Sequence, residues 1–306
     1  MRVFVTCATG FIGSAVVREL LAAGHDVVGL ARSDAAAESV AAAGATVHRG
    51  DLDDLETLRR GASAADGVVH TAYNHDFSIS RLDAAAADRR AIGAMAQELV
   101  GSGRPLVITS GTGRRAPGQA ATEDVLPDPT TDPTGRVATE LFATSFIERG
   151  VRVSVVRFPP SVHGRGDHGF VPILINIARS KGVSAYPDDG ANRWPAVHRL
   201  DAAHLFRLAV ESAPAGARLH GVGDEGVPVR EIAEVIGRHL KVAVTSVAGD
   251  EAMEHFGFLG PFFAADLPAS SAITQQMLGW HPVQLGLIAD LDEGHYFQKA
   301  PVALVR

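Results

Sequence analysis

The residues best placed to do chemistry open the chain. Val3-Phe-Val-Thr-Cys-Ala-Thr-Gly-Phe-Ile-Gly13 reads as a strand, a tight turn and the start of a helix. Gly10 lets the backbone approach a ligand, and Gly13 lets the helix pack closely on the strand. The first N–H groups of a helix are unbonded and its dipole end is positive, which suits a pyrophosphate. Thr9, Gly10, Phe11 and Ile12 would touch it. Cys7 stands where the first glycine of such a turn belongs, and its Cβ restricts the turn. A helix N-terminus can activate a thiol toward redox chemistry, although a packed small residue is the simpler expectation.

The second apolar run ends Gly29-Leu-Ala-Arg-Ser-Asp34. An acidic residue in that place would bond the adenosine ribose hydroxyls of NAD. Here the place falls on Ala31, followed by Arg32 and Ser33, and a guanidinium suits a 2′-phosphate instead. NADP(H) is therefore the expected cofactor, with Asp34 arguing mildly the other way and a solvated Arg32 as the plain alternative. Asp51 could accept from the adenine amino group and Leu52 cover the ring, or Asp51 could cap the helix that starts near Leu55. Val69-His-Thr-Ala-Tyr73 ends a strand where Thr71 and Ala72 would border the nicotinamide ribose. His163-Gly-Arg-Gly-Asp-His168 could suggest a metal, but metal sites draw on rigid, well-spaced ligands, so none is expected. A hydrolase built on Ser110 fails the Gly-x-Ser-x-Gly elbow because residue 108 is Ile.

The elements that must position these groups alternate through the first half. Strands are expected at 3–5, 27–30, 46–48, 67–70, 105–108 and 151–156, and helices at 11–23, 35–43, 55–61, 82–100 and 136–149. Continuous apolar strands separated by helices imply a doubly wound parallel α/β sheet covered on both faces. Glycines 24, 44, 61 and 150 stand where helix C-caps belong. Residues 1–158 make the dinucleotide-binding unit. Residues 159–306, looser in texture, make a smaller substrate lobe partly interleaved with it. That lobe holds helices at 170–178, 201–211, 229–240 and 250–256 and a strand at 218–222. Residues 113–135, rich in Gly, Pro, Thr and Asp, are long enough for a lid or mobile loop.

With 28 basic against 35 acidic residues the net charge is −7, and no basic block offers a face to nucleic acid or an anionic membrane. One cysteine excludes an internal disulfide. No apolar run approaches the roughly 20 residues of a membrane span. A strand already at residues 2–6 leaves no room for a cleaved leader, so a cytoplasmic protein is expected.

The chain resembles an extended short-chain dehydrogenase/reductase of the NAD-dependent epimerase/dehydratase branch, and more narrowly the atypical subgroup of that superfamily. Thr6–Gly13, Gly50-Asp-Leu52, His70-Thr-Ala72, Ile108–Gly111, Val156–Gly164 and Val197-His-Arg-Leu-Asp201 carry the likeness, in the family's order and across about two-thirds of the chain. Leu278-Gly-Trp-His-Pro282 resembles the family's C-terminal lobe. The resemblance implies a tyrosine acid/base, a lysine four residues on, and an upstream serine or threonine. Anchored on Glu140, those positions fall on Asp132, Arg136 and Gly111, the last flanked by Ser110 and Thr112; the supporting asparagine falls on Asp88. No Tyr-x-x-x-Lys exists in the sequence. Arg136 could hold the nicotinamide ribose but cannot serve as a base. The proton donor must then be Thr112, Tyr73, His75, Asp132 or His163, although a cap for the 135–149 helix is the simpler expectation for Asp132, which precedes Pro133. Pro159 and Ser161 would run past the nicotinamide carboxamide, and His75, His163, Trp194 and His198 would line the substrate pocket, unless Trp194 lies in the core. The implied activity is NADP-dependent reduction of a carbonyl or imine in a small organic molecule. The alternatives are an epimerase or dehydratase using the cofactor transiently and a silent NADP(H) sensor with a protein partner. Helices 82–100 and 136–149 could pair two copies into a homodimer, unless their alanine-rich stripes are plain core.

Overall fold

The computed structural model describes residues 1–74, 79–113, 115–116, 118–126, 128–248 and 251–298. Strands and helices alternate as β1 (Arg2–Thr6), α1 (Phe11–Ala22), β2 (Asp26–Ala31), α2 (Asp34–Ala42), β3 (Thr46–Arg49), α3 (Leu55–Ser63), β4 (Gly67–His70), α4 (Arg81–Gln97), β5 (Pro105–Gly111), α5 (Arg136–Thr144) and β6 (Arg152–Phe158). There follow β7 (Ser161–His163), α6 (Phe170–Lys181), β8 (Val183–Pro187), β9 (Arg193–His198), α7 (Arg199–Ser212), β10 (Arg218–His220), β11 (Asp224–Pro228), α8 (Val229–Leu240) and β12 (Ala243–Val247). Short helices α9 (Ala252–Phe256), α10 (Gly260–Phe263), α11 (Ala272–Leu278) and α12 (Leu287–Asp292) close the described chain.

Seven parallel strands pair in the order β10-β6-β5-β4-β1-β2-β3. The chain runs outward from β1 to β3, then returns to β4 on the other side of β1, which opens a crevice at the carboxyl ends of β1 and β4. Side chains alternate across the sheet. Val3 and Val5 of β1 enter the core under α1 and α7, while Phe4 enters the opposite core with Leu58, Ile92 and Ala143 from α3, α4 and α5. A third core joins α6, α8 and the short helices of the second lobe.

Two elements from beyond residue 158 join the seven-stranded sheet and its cover. α7 packs along α1, and β10 pairs with β6 at the sheet edge. The sheets β11-β9-β7 and β12-β8 of the second lobe were not expected from the sequence. α4 stops at Gln97, and α5 stops at Thr144 with a single 3-10 turn beyond it. Of the glycines expected as caps, Gly61 lies inside α3, where a Cβ would meet the Phe4 ring at 2.5 Å. The helix expected from residue 250 begins at Ala252, and Asp250 lies outside the described residues.

The described part of 113–135 is anchored. Gly118 N–H bonds Asp266, Ala121 exchanges backbone bonds with Pro268 and Ser270, and Thr274 donates twice to Glu123. Arg157 holds Val125 O at 3.2 Å. A freely moving lid is not what these residues form. Among the described residues no helix is long and apolar enough to cross a membrane.

Candidate functional site

The glycine turn keeps its shape with a cysteine in it. Cys7 takes φ +50°, the left-handed region that favours glycine, and its carbonyl accepts the Gly10 N–H at 2.9 Å. Gly10 is an extended N-cap with no side chain to bond, and the first helical bond is Ser14 N–H to Gly10 O. The N–H groups of Phe11, Ile12 and Gly13 precede that bond and stay open among the described residues. A Cβ on Gly10 would meet Cys7 Sγ at 2.5 Å, and one on Gly13 would meet Cys7 O at 2.0 Å. The residue Cys7 is exposed, yet the chain crowded round its thiol pushes the thiol pKa up, against a reactive thiolate.

At the adenosine end, Arg32 is exposed and has no bonded partner among the described residues, and the Ser33 hydroxyl accepts from Ala36 N at 3.2 Å to cap α2. Sequence reasoning missed Arg49, whose guanidinium donates to Ser33 O at 2.6 Å and Asp34 Oδ1 at 2.9 Å. It fastens the turn below Arg32 and offsets the Asp34 charge. Asp51 does not cap α3. It accepts from the N–H groups of Asp53 and Asp54, and Asp54 caps the helix through Thr57 N–H at 3.0 Å. Leu52 packs partly buried against the core beneath.

The ends of β1, β4 and β5 are cross-linked by buried polar groups. Thr6 Oγ accepts from the N–H groups of Thr71 and Ala72 at 3.2 and 3.3 Å, so its own hydrogen goes to His70 Nδ1 at 2.9 Å. The imidazole proton therefore sits on Nε2 and is donated to Asp88 Oδ1 at 2.9 Å. Asp88 thus orients His70 and, through Thr6, the Thr71–Ala72 backbone. The Thr71 hydroxyl donates to Thr6 O at 2.7 Å, and Thr109 Oγ donates to His70 O at 3.0 Å.

Tyr73 and Arg136, distant in sequence, meet here. The guanidinium carbon lies 4.2 Å from the Tyr73 ring centroid, and Nη2 donates to Thr109 O at 2.8 Å. Thr112 follows β5, its N–H bonded to Phe158 O at 2.9 Å and its half-buried side chain unbonded among the described residues. His75 lies outside the described residues.

Asp132 does not fit an acid/base role. Its carboxylate accepts from Thr134 N and Oγ at 2.8 and 2.5 Å and from Val137 N at 2.7 Å, which makes it the capping group of α5. Burial alone would raise this carboxyl, but those bonds outweigh it and hold it below the usual range. Glu140, on the next turn of α5, is buried and forks onto Arg157 at 2.6 and 3.1 Å while accepting from Arg218 at 2.9 Å.

Three expected pocket residues have other work. Trp194 is a core residue, 0% exposed between Phe170 and Phe263 with its indole N–H on Phe262 O at 2.9 Å. His163 is fully buried with Nδ1 on Asp290 at 2.8 Å, so it cannot donate to a substrate from the pocket surface. His198 caps α7 through Leu200 N–H and lies edge-on to His163. Ser161 is buried with its hydroxyl unpartnered, beside Pro159 on the run after β6. Among the described residues no group of three or more His, Cys, Asp or Glu is arranged to hold a metal.

Residues 3–220 match the NAD dependent epimerase/dehydratase family. An uncharacterized protein of Schizosaccharomyces pombe is 51% identical over 299 residues, covering 97% of this chain and 100% of its own. UDP-glucose 4-epimerase of Streptomyces lividans is 28% identical over 333 residues, covering 96% of each. The crystal structure of a double mutant of dTDP-glucose 4,6-dehydratase from Streptomyces venezuelae, with NAD bound, is similar with a TM-score of 0.77 at 22% identity, over 97% of both chains. That likeness is one of fold.

Proposed function

The chain belongs to the NAD-dependent epimerase/dehydratase family, whose members are mostly epimerases, dehydratases and reductases, and we propose that within it this protein is an NADP-dependent oxidoreductase. It reduces a carbonyl or imine of a small organic molecule. The glycine turn fits a dinucleotide: three N–H groups are open at the start of α1, and a Cβ on Gly10 or Gly13 would have no room. Thr9, Gly10, Phe11 and Ile12 hold the pyrophosphate. Asp51 and Leu52 take the adenine, Arg32 and Ser33 the 2′-phosphate, and Thr71, Ala72, Arg136, Pro159 and Ser161 the nicotinamide half. When bound, the cofactor supplies a hydride.

The observation that carries the reading is the Tyr73–Arg136 pair, which brings a phenol and a cation to the carboxyl ends of β4 and β5. Tyr73 O–H gives the proton to the substrate oxygen or nitrogen, Thr112 polarises that atom, and Arg136 holds the Tyr73 ring by its face. A phenol at neutral pH is a proton donor, which suits reduction. An epimerase or dehydratase begins by taking a proton from a hydroxyl. Arg136 cannot do that, and Asp132 is fully engaged as a cap. The sensor alternative rests on the absence of the tyrosine–lysine pair and on a mobile 113–135, and the bonds made by the described residues of that segment weaken the second of these supports. Exposed Leu82, Leu141 and Phe142 on α4 and α5 support pairing with a second copy.

Turnover tests the reading. NADPH oxidation should be seen with some member of a panel of aldehydes, ketones and imines, and Tyr73→Phe should lower kcat by about 10²–10⁴-fold with NADPH binding unchanged. Product formed without net NADPH consumption would instead mean transient use of the cofactor. Full activity in Tyr73→Phe would remove tyrosine as the donor.

A further inference from the structure

α1 and α7 lie side by side and start level. Arg199 sits over Phe11, its guanidinium carbon 5.1 Å from the ring centroid. His204 and Arg207 bond Glu19 at 2.9 and 2.8 Å, and His25 bonds Glu211 at 2.8 Å. Two positive helix ends therefore adjoin the glycine turn.

The charges around them are also positive. Arg18 and Arg199 are close enough that Arg199 is held below the usual arginine range, first by burial and then by Arg18. Neither guanidinium has a hydrogen bond or ion pair among the described residues, because the nearby carboxylates are taken: Glu19 and Glu211 by the contacts above, and Asp201, in the first turn of α7, by the N–H groups of Val283 and Gln284. The loop after β7 comes up to the same place. His168 lies edge-on to Phe11 at 5.8 Å, and Gly164, at φ +132°, passes so near that a Cβ would be 3.2 Å from Arg199 Cγ. A half-buried fork of N–H donors beside another cation, with no anion to answer it, is arranged for an anionic ligand.

We propose that Arg199 is a pyrophosphate-binding residue, reaching from the start of α7 to close the glycine turn over the cofactor diphosphate. This rests on the reading of that turn as a dinucleotide site, but not on the choice between NADP and NAD. It makes the second lobe a direct contributor to cofactor affinity, through a residue that no glycine motif would identify.

The test is equilibrium titration of the full chain, following NADPH and NADH fluorescence, with adenosine 2′-monophosphate measured by competition as a probe that has no 5′-phosphate. Arg199→Gln should weaken both dinucleotides by about 10–100-fold and leave the monophosphate within about twofold, the loss of a charge-assisted pair confined to one group. Arg199→Lys keeps the charge without the fork. It should lose about three- to tenfold, which covers a Gln variant that fails to fold. Unchanged dinucleotide affinity in either folded variant overturns the inference, as does an equal loss for all three probes. Wild-type protein that binds neither dinucleotide would overturn the dinucleotide reading itself, and Arg199 with it.

Discussion

Replacing Cys7 by glycine should stabilise the protein and leave cofactor binding where it is. Cys7 holds φ at +50°, where a side chain costs about 1–2 kcal/mol. Glycine gives back about 0.5–1 kcal/mol through its freer unfolded chain. The packing lost is that of one small thiol on a residue that is exposed overall. The net gain is about 0.5–1 kcal/mol, a rise in Tm of about 1–2 °C for a chain of this size. The turn is closed by a backbone bond, Gly10 N–H to Cys7 O at 2.9 Å, which the substitution keeps. The NADPH Kd should therefore stay within about threefold, less than 0.7 kcal/mol. Cys7→Val, with a branched Cβ where even an unbranched one is strained, should shift Tm downward. The assays are thermal unfolding with and without NADPH and a binding titration of each variant. A lower Tm for Cys7→Gly would mean that the cysteine side chain holds the turn. A tenfold gain in NADPH affinity would mean that it obstructs the site. Either result refutes the reasoning.

Three further outcomes follow from charges elsewhere. Glu140→Gln removes the counter-charge of Arg157, which is 2% exposed. The cost should be about 3–5 kcal/mol, seen as a large fall in Tm, and an unchanged melt would contradict the buried cluster. Burial pushes the Asp167 carboxyl up to about 6, against the bonds it accepts from Gly169 and Tyr296. A carboxyl whose folded pKa lies above its unfolded value contributes stability that is fully present below the unfolded value of 3.8 and lost as pH rises through about 6. Asp167→Asn should flatten that loss between those values, and stability profiles that stay parallel across the window would rule this out. Arg49→Ala frees the Asp34 carboxylate beside Arg32. It should weaken NADPH by about two- to fivefold, the size of an exposed charge interaction, with NADH unchanged; an equal effect on both cofactors would make Arg49 a general support of the turn.

The sheet was legible because most of its strands are continuous apolar runs set by burial on both faces, and because Gly24 and Gly44 follow α1 and α2. The strands of the second lobe were not. Arg193–His198 carries Pro195, and Asp224–Pro228 holds two acidic residues, a glycine and a proline. What makes them strands is pairing with each other and with β7, which no local window records. The site divides in the same way. Gly10, Gly13 and Arg32 could be read from spacing along one βαβ unit. Arg49 on Asp34, Asp88 on His70 and Arg199 on Phe11 join residues brought together only by the fold. Asp132 and Trp194 each admitted two roles in sequence, and three bonds to one carboxylate and a fully enclosed ring decided between them. The pairing of Tyr73 with Arg136 had no sequence signal, since the two stand on separate βα connections.

The most direct measurement is calorimetric titration of the purified protein with NADPH, NADP⁺ and NADH, repeated on Arg32→Ala. The account predicts micromolar binding of NADPH, weakened by about tenfold or more in Arg32→Ala as a charge-assisted phosphate contact is lost, with NADH affected little. A folded protein that binds none of the three would contradict it.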